Sequence, residues 1–326
     1  MIKTSDIFNI SSEEQFKTLA LDVFNFQFEH NKVYRSFCDL LYKNPSDINR
    51  VEDIPFLPIQ FFKSHNVVST TKAIQQTFIS SGTSSSIQSK HHIIDLSVYE
   101  ESFLKGFQYF YGNCSDYVII ALLPSYLERE GSSLVYMVDH LIRKSNHSES
   151  GFYLNDLESL KSTLIGLEKD GKKTLLIGVS FALLDLIETA ELKLNHCIVM
   201  ETGGMKGRRK ELIKKDLHAQ LKKGFGVDHI HSEYGMTELL SQAYSSGSNC
   251  FKTPPWMNIL IRDPEDAFTL LAERSTGGIN VIDLANVNSC SFIATQDLGK
   301  LHPDGSFELL GRFDHSDIRG CNLMVL

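Results

Sequence analysis

Residues 174–201 read TLLIGVSFALLDLIETAELKLNHCIVME, and their pattern decides the fold class. TLLIGV is a short, nearly unbroken apolar run, the mark of a strand covered on both faces. FALLDLIETAEL carries apolar residues at helical spacing, and HCIVME is a second apolar run of strand length. Strand, helix and strand in succession predict parallel neighbours joined by a crossover helix. The alternation extends upstream, with a strand in QQTFIS, a helix in LSVYEESFLKGFQYF, a strand in YVIIALL, and helices in SSLVYMVDHLIRK and DLESLKSTLIGLEK. Downstream, the basic helix RRKELIKKDLHAQLKKG precedes DHIHSEYGMTELLSQAY. An α/β domain with a largely parallel sheet flanked by helices is predicted.

Near Ser245 the pattern changes. SSGSNCFKTPPWMNILIRDPED is rich in turn residues, and GGINVIDLA, SCSFIAT and GSFELLGR read as short strands. The chain therefore divides into an α/β region, 1–244, and a β-rich subdomain, 245–326. Towards the N-terminus, Ser12 caps an amphipathic helical stretch whose apolar positions are Phe16, Leu19, Leu21, Val23 and Phe24. The proline-punctuated IPFLPIQFFKS predicts an extended connector and no helix.

The chain has 326 residues, 42% of them hydrophobic, enough for a sizeable core. A net charge of -8 gives no electrostatic case for nucleic acid or an anionic membrane. Six cysteines (Cys38, Cys114, Cys197, Cys250, Cys290 and Cys321) are scattered without a CxxC pair. That argues against a disulfide framework or a structural zinc site, and fits a reducing compartment. MIKTSDIFNISSEEQF lacks a basic region followed by an apolar core, so no signal peptide is expected. The longest apolar run, VIIALL, is too short to span a bilayer. A cytoplasmic protein is predicted.

FISSGTSSSIQSKHH, Phe78 to His92, follows the QQTFIS strand. The hydroxyls of Ser80, Ser81, Thr83, Ser84 and Ser85 surround Gly82, whose bare backbone admits a close ligand, and Lys90 follows. Phosphate suits such a loop, although a flexible polar loop has the same composition. Gly166 to Lys173, GLEKDGKK, nearly fits a P-loop but ends in Lys and precedes its strand, so it is rejected. GVSFA, Gly178 to Ala182, approaches a nucleophile elbow. Ser180 would be the nucleophile, with His196, His218, His229, His231, His302 and His315 downstream as bases. The fifth position is Ala, however, and a Ser there serves equally as a helix cap. His229, His231 and Glu233 in HIHSE, and the pair His91–His92, are incomplete as metal sets and read as surface or hydrogen-bonded histidines.

Several separated segments occur in a fixed order: FISSGTSSS with Lys90, ETGGMK, YGMTE, TQDLG and GRFDHSDIRG. Together they resemble the ordered motifs of the adenylate-forming superfamily, from Ile54 to the C-terminus. DIPFLPIQFFKSH, LLPSYLEREGSSLVYMV and RGCNLMVL are most similar to the acyl-protein synthetases of bacterial luminescence fatty acid reductase complexes. Phenylacetate–CoA ligases come next. The resemblance implies the superfamily's large N-terminal domain, mostly parallel sheets flanked by helices, with a β-rich subdomain. It also implies that the small lysine-bearing C-terminal domain is absent, since the sequence stops at Leu326. The implied activity is ATP- and Mg²⁺-dependent conversion of a carboxylic acid, read as a fatty acid, to acyl-AMP. The acyl group would then pass to an enzyme cysteine and a partner protein. Delivery to CoA or an acyl carrier protein is the alternative, and a serine hydrolase using Ser180 is the alternative from another class.

By the same resemblance, Ser80, Ser81, Gly82, Thr83, Ser84 and Ser85 wrap the β- and γ-phosphates, and Lys90 offsets their charge. Gly203 and Gly204 lie against adenine, and Tyr234, followed by Gly235 and Met236, stacks on it. Thr237 donates to the α-phosphate and Glu238 holds Mg²⁺. Asp297 accepts from the ribose hydroxyls, although TQD stands here where the superfamily usually has TGD. Arg312 touches ribose or phosphate. Tyr126, Ser132, Ser133 and Ser180 are expected beside the acyl chain, and Cys321 is implied as the thiol that carries the acyl group.

Overall fold

A computed structural model describes residues 2–81, 87–124, 131–154, 156–189, 191–203, 209 and 212–313. Three helices come first: α1 (Thr4–Phe8), α2 (Glu13–His30) and α3 (Lys32–Leu40). Ser12 accepts from the Gln15 amide at the head of α2, the cap that the sequence predicts. There follow β1 (Leu57–Pro58), α4 (Phe61–Ser64), β2 (Gln76–Ile79), β3 (Lys90–Ile93), α5 (Leu96–Tyr111), β4 (Val118–Leu122), α6 (Ser133–Ser145) and β5 (Gly151–Phe152). Next are α7 (Leu157–Lys169), β6 (Thr174–Val179), α8 (Ser180–Thr189), β7 (Cys197–Thr202), α9 (Lys214–Phe225), β8 (Ile230–Tyr234) and β9 (Ala243–Ser245). Strands β10 (Cys250–Phe251), β11 (Met257–Arg262), β12 (Thr276–Asp283), β13 (Phe292–Leu301) and β14 (Phe307–Arg312) complete the described elements.

The alternating region forms a sheet in the order β5-β4-β6-β7-β8-β9. Its strands are parallel from β5 to β8, and β9 closes the edge antiparallel to β8. All residues of β4 and β6 are buried, which explains why VIIAL and TLLIGV show no polar alternation. The second sheet runs β10-β14-β13-β12-β11 with antiparallel neighbours, and it makes up the β-rich region expected after Ser245. It is also joined by β1, parallel to β13. A separate hairpin, β2–β3, carries the hydroxyl loop between its strands.

The proline-rich connector differs from its sequence reading. Leu57–Pro58 pairs with β13, but Phe61–Ser64 makes a single helical turn. Proline restricts the residue before it, and the chain after Pro58 is free to coil. Helix α2 docks against the second sheet through a buried amide. Gln27 donates to the carbonyls of Asn286 and Val287 and accepts from the Ser291 amide. Pairing of this kind offsets the cost of burying an amide.

Candidate active site

A cavity of about 1390 Å³ is lined by residues from both main sheets and from the β2–β3 hairpin. β7 ends in it with Glu201, Thr202 and Gly203, and β8 ends in it with Glu233 and Tyr234. Gly235, Met236, Thr237 and Glu238 follow, while β13 contributes Asp297 and β14 contributes Arg312. Ligand clefts at the carboxyl ends of parallel strands are a general property of such sheets.

The second sheet supplies a fixed polar pair. Asp297 and Arg312 are direct partners in the β13–β14 ladder, and Arg312 Nε donates to Asp297 Oδ1 at 2.9 Å. Tyr234 donates its hydroxyl to the other oxygen at 2.8 Å. Burial, then the Asp297 charge, pushes the Tyr234 phenol well above its usual range, so it stays a donor. The Asp297 carboxylate raises Arg312 in turn, against partial burial. Phe307 and Phe251 meet the Tyr234 ring edge-on, with centroids 5.7 and 6.0 Å away, and fix its plane.

The segment after β8 is tied down from several directions. His91 Nδ1 lies 2.8 Å from the Thr237 carbonyl, and since a carbonyl only accepts, that nitrogen carries the proton. Burial holds His91 down at about 4, so the ring is neutral near pH 7. Asn286 donates to the Glu238 carbonyl at 2.8 Å. Buried Asp283 accepts from the amides of Leu240 and Ser241 and from the Ser241 hydroxyl. The Glu238 side chain is buried yet lines the cavity. Burial pushes its carboxyl up, while Ser89, Arg312 and Lys63 favour the anion. A partly desolvated carboxylate facing the cavity suits a hard cation such as Mg²⁺.

A second charged group lies at the base of α9. Lys214 Nζ and His218 Nε2 stand 3.7 and 3.5 Å from Glu201 Oε1. Burial pushes the Glu201 carboxyl up, but His218 and Lys214 outweigh it and leave it below the ordinary range. Lys214 also sits 4.0 Å over the Phe251 ring. Beside it, burial raises Glu233 to about 7, against the Thr202 hydroxyl that donates to it. At Gly235 a Cβ would stand 2.5 Å from Glu233 Oε1, so a larger residue there would shift the Glu233 carboxyl. Gly203, at φ +66, lies in the left-handed region and lets the chain turn at the end of β7.

Of the residues singled out from sequence, Ser80, Ser81, Ser132, Ser133, Ser180, Gly203, Tyr234, Gly235, Met236, Thr237, Glu238, Asp297 and Arg312 line this cavity. Gly82, Thr83, Ser84, Ser85, Gly204, Tyr126, His315 and Cys321 lie outside the described residues. Lys90 is corrected. It is exposed on β3 and does not line the cavity, where the lysines are Lys63 and Lys214. Ser180 begins α8 and donates to the Gly203 carbonyl at 2.9 Å, with Glu201 as a longer second acceptor. Among the described residues no histidine ring is bonded to its hydroxyl, so the nucleophile-elbow geometry is missing. His231 meets the Tyr111 hydroxyl, a hydrogen-bonded histidine as expected. Sequence reading passed over Lys63, Ser89, Glu201 and Lys214, and considered His218 only as a base for Ser180. The i, i+4 spacing of Lys214 and His218 was the available signal for the α9 pair.

Residues 1–130 match the family model described as acyl-protein synthetase, LuxE. No curated protein matches the chain. Among solved structures, the chain is similar to 2-hydroxyisobutyryl-CoA ligase in an open conformation with 2-HIB-AMP and CoA. The TM-score is 0.70 at 13% identity, over 93% of this chain and 70% of that one. It is also similar to ATP-bound MatB from Rhodopseudomonas palustris, with a TM-score of 0.57 at 16% identity. That match covers 74% of this chain and 49% of the other, so the chain spans about half the length of MatB. Among the described residues no helix is long and apolar enough to cross a membrane. The fold of this chain is that of the adenylate-forming enzymes.

Proposed function

We propose that the chain activates a carboxylic acid with ATP, forming acyl-AMP, and then transfers the acyl group through Cys321 to a partner protein. The observation that carries this reading is the meeting of Tyr234, Asp297 and Arg312 with Thr237 and Glu238 around one cavity. Asp297 is the acceptor for the ribose hydroxyls, with Arg312 beside it. Tyr234, Gly203 and Gly204 flank adenine. The loop Ser80–Ser85 and Thr237 take the phosphates, and Lys63 and Lys214 supply the positive charge first assigned to Lys90. Glu238 would hold Mg²⁺, which when bound neutralises charge on the triphosphate.

In the first step a carboxylate oxygen attacks the α-phosphorus, and the bond to the bridging oxygen breaks with its electron pair leaving on pyrophosphate. The protein contributes alignment and charge; no side-chain nucleophile takes part. In the second step the Cys321 thiolate attacks the acyl carbon, and AMP leaves with the C–O electron pair. Residues 1–244 hold ATP and acid, and 245–326 close the ribose end. The apolar wall of Ile79, Tyr99, Leu134, Met137 and Leu217 supports a fatty acid as substrate. The scattered cysteines fit a cytoplasmic setting, where thiols stay reduced. Delivery to CoA is the second reading, supported by the likeness to a CoA ligase at TM-score 0.70.

Labelled pyrophosphate should exchange into ATP only when an acid is present. Cys321→Ser should keep that exchange but fail to retain radioactive fatty acid after denaturation. No exchange with any acid tested would overturn activation itself. Label retained by the variant and released by neutral hydroxylamine would leave activation standing and assign the acyl group to another residue.

A further inference from the structure

At the edge of the second sheet, beside Lys214 but outside the cavity lining, three side chains of different chemistry converge. Cys250 on β10 and Glu308 on β14 are direct partners in the antiparallel ladder, so both leave the same face of the sheet. His302 opens the turn between β13 and β14, which is closed by bonds from the His302 amide to the Ser306 carbonyl and from Gly305 back to His302. Its Nε2 lies 2.7 Å from Glu308 Oε1. One donor atom from each of the three residues falls within 4.8 Å of the other two, and all three residues are half-buried. Cross-strand register, not short spacing, builds the cluster, which is why the lack of a CxxC pair gave no sign of it.

The plain alternative is a histidine–carboxylate pair with a thiol nearby by chance. The surroundings of the thiol argue otherwise. The Cys250 thiol has the Glu308 carboxylate as its direct cross-strand partner and the His302 ring within reach of both, and a half-exposed thiol is a poor core residue. A cation reconciles the three groups. Among the described residues the other cysteines lack such company: Cys38 and Cys290 are buried in the apolar core, Cys114 packs partly buried against it, and Cys197 contacts the Ile198 carbonyl.

We propose that Cys250, His302 and Glu308 bind a divalent transition-metal ion, with zinc the best match. Thiolate, imidazole and carboxylate are its usual protein ligands, and three of them leave a fourth position for water or Asp304. Binding exchanges the thiol proton for the metal, and Nε2 of His302 turns from the Glu308 carboxylate to the ion, leaving Nδ1 to carry the ring proton. The ion would pin β10 to the hairpin whose far end carries Asp297 and Arg312, so its role is to brace the nucleotide side of the cavity.

The test uses the full metal-free chain titrated with Co²⁺, a spectroscopic stand-in for zinc. A thiolate-to-cobalt band should rise in the near ultraviolet, end at one ion per chain, and vanish when Zn²⁺ is added. Cys250→Ser should lose the band while keeping the circular dichroism and the cooperative urea transition of the unaltered metal-free chain, which shows that it is folded. His302→Gln and Glu308→Gln should each weaken Co²⁺ binding by at least about tenfold. Absence of the band in the unaltered chain overturns the proposal, as does its survival in Cys250→Ser or unchanged affinity in both other variants.

Discussion

Asp297 shows how much a single carboxylate organises. It takes the Tyr234 hydroxyl on one oxygen and the Arg312 guanidinium on the other, and is itself almost fully buried. Asp297→Ala should weaken ATP binding by roughly 1.5–3 kcal/mol, the worth of a charge-assisted bond. Equilibrium titration with ATP measures it, and unchanged affinity would reduce TQDLG to a structural turn. Glu233 makes a prediction of a different kind. Burial raises its pKa from 4.5 to about 7, so the folded chain holds this proton more tightly than the unfolded one. Its contribution to stability is full below the unfolded value and is lost as pH rises through about 7. Glu233→Gln should remove up to about 3 kcal/mol of that decline. Denaturant midpoints between about pH 5 and about pH 8 should therefore fall less steeply in the variant than in the unaltered chain, and parallel profiles would contradict the assignment. At this scale the sequence showed Tyr234, Glu238, Asp297 and Arg312 because each sits in a motif. It concealed Lys63 and Lys214 because a lysine gains its meaning from what folds opposite it. Lys90 was singled out by its nearness in sequence to the hydroxyl loop, and it is exposed on β3.

The elements that were easiest to read are those with a single physical cause. Strands β4 and β6 are apolar throughout because the sheet is covered on both faces, and Ser12 caps α2 as its spacing suggests. The helical turn Phe61–Ser64 was missed because proline signals dominated a stretch in which only some residues feel them. The segment after β8 has no regular structure to announce it, and its shape depends on anchors distant in sequence. Asp283 is the principal one, accepting from Leu240, Ser241 and Ala285 amides and from the Ser241 hydroxyl. Asp283→Ala would leave buried donors without partners, at a cost of about 3 kcal/mol or more. Urea unfolding should show a lower midpoint with an unchanged slope, and pyrophosphate exchange should fall with it as Thr237 and Glu238 lose their setting. A midpoint equal to that of the unaltered chain would mean that Trp256, which donates to the Ser241 hydroxyl, holds the segment without Asp283.

Across the whole molecule, the cavity depends on long-range closure. Its lining runs from Ile59 to Arg312, and the helix that carries Gln27 braces the second sheet from the other end of the chain. No local pattern encodes that arrangement; only the order of the motifs hinted that the segments meet. The family match over residues 1–130 and the downstream motifs fall largely on different parts of the chain, and the fold joins them around one site. The central claim is that a carboxylate oxygen of the substrate becomes bonded to the α-phosphorus of ATP. Mass spectrometry of the AMP formed from an oxygen-18-labelled carboxylic acid tests this most directly. Transfer of the acyl group to a thiol breaks the acyl C–O bond and leaves the substrate's oxygen on phosphorus, so the account predicts AMP carrying one heavy oxygen. Unlabelled AMP, or ADP in place of AMP, would contradict it.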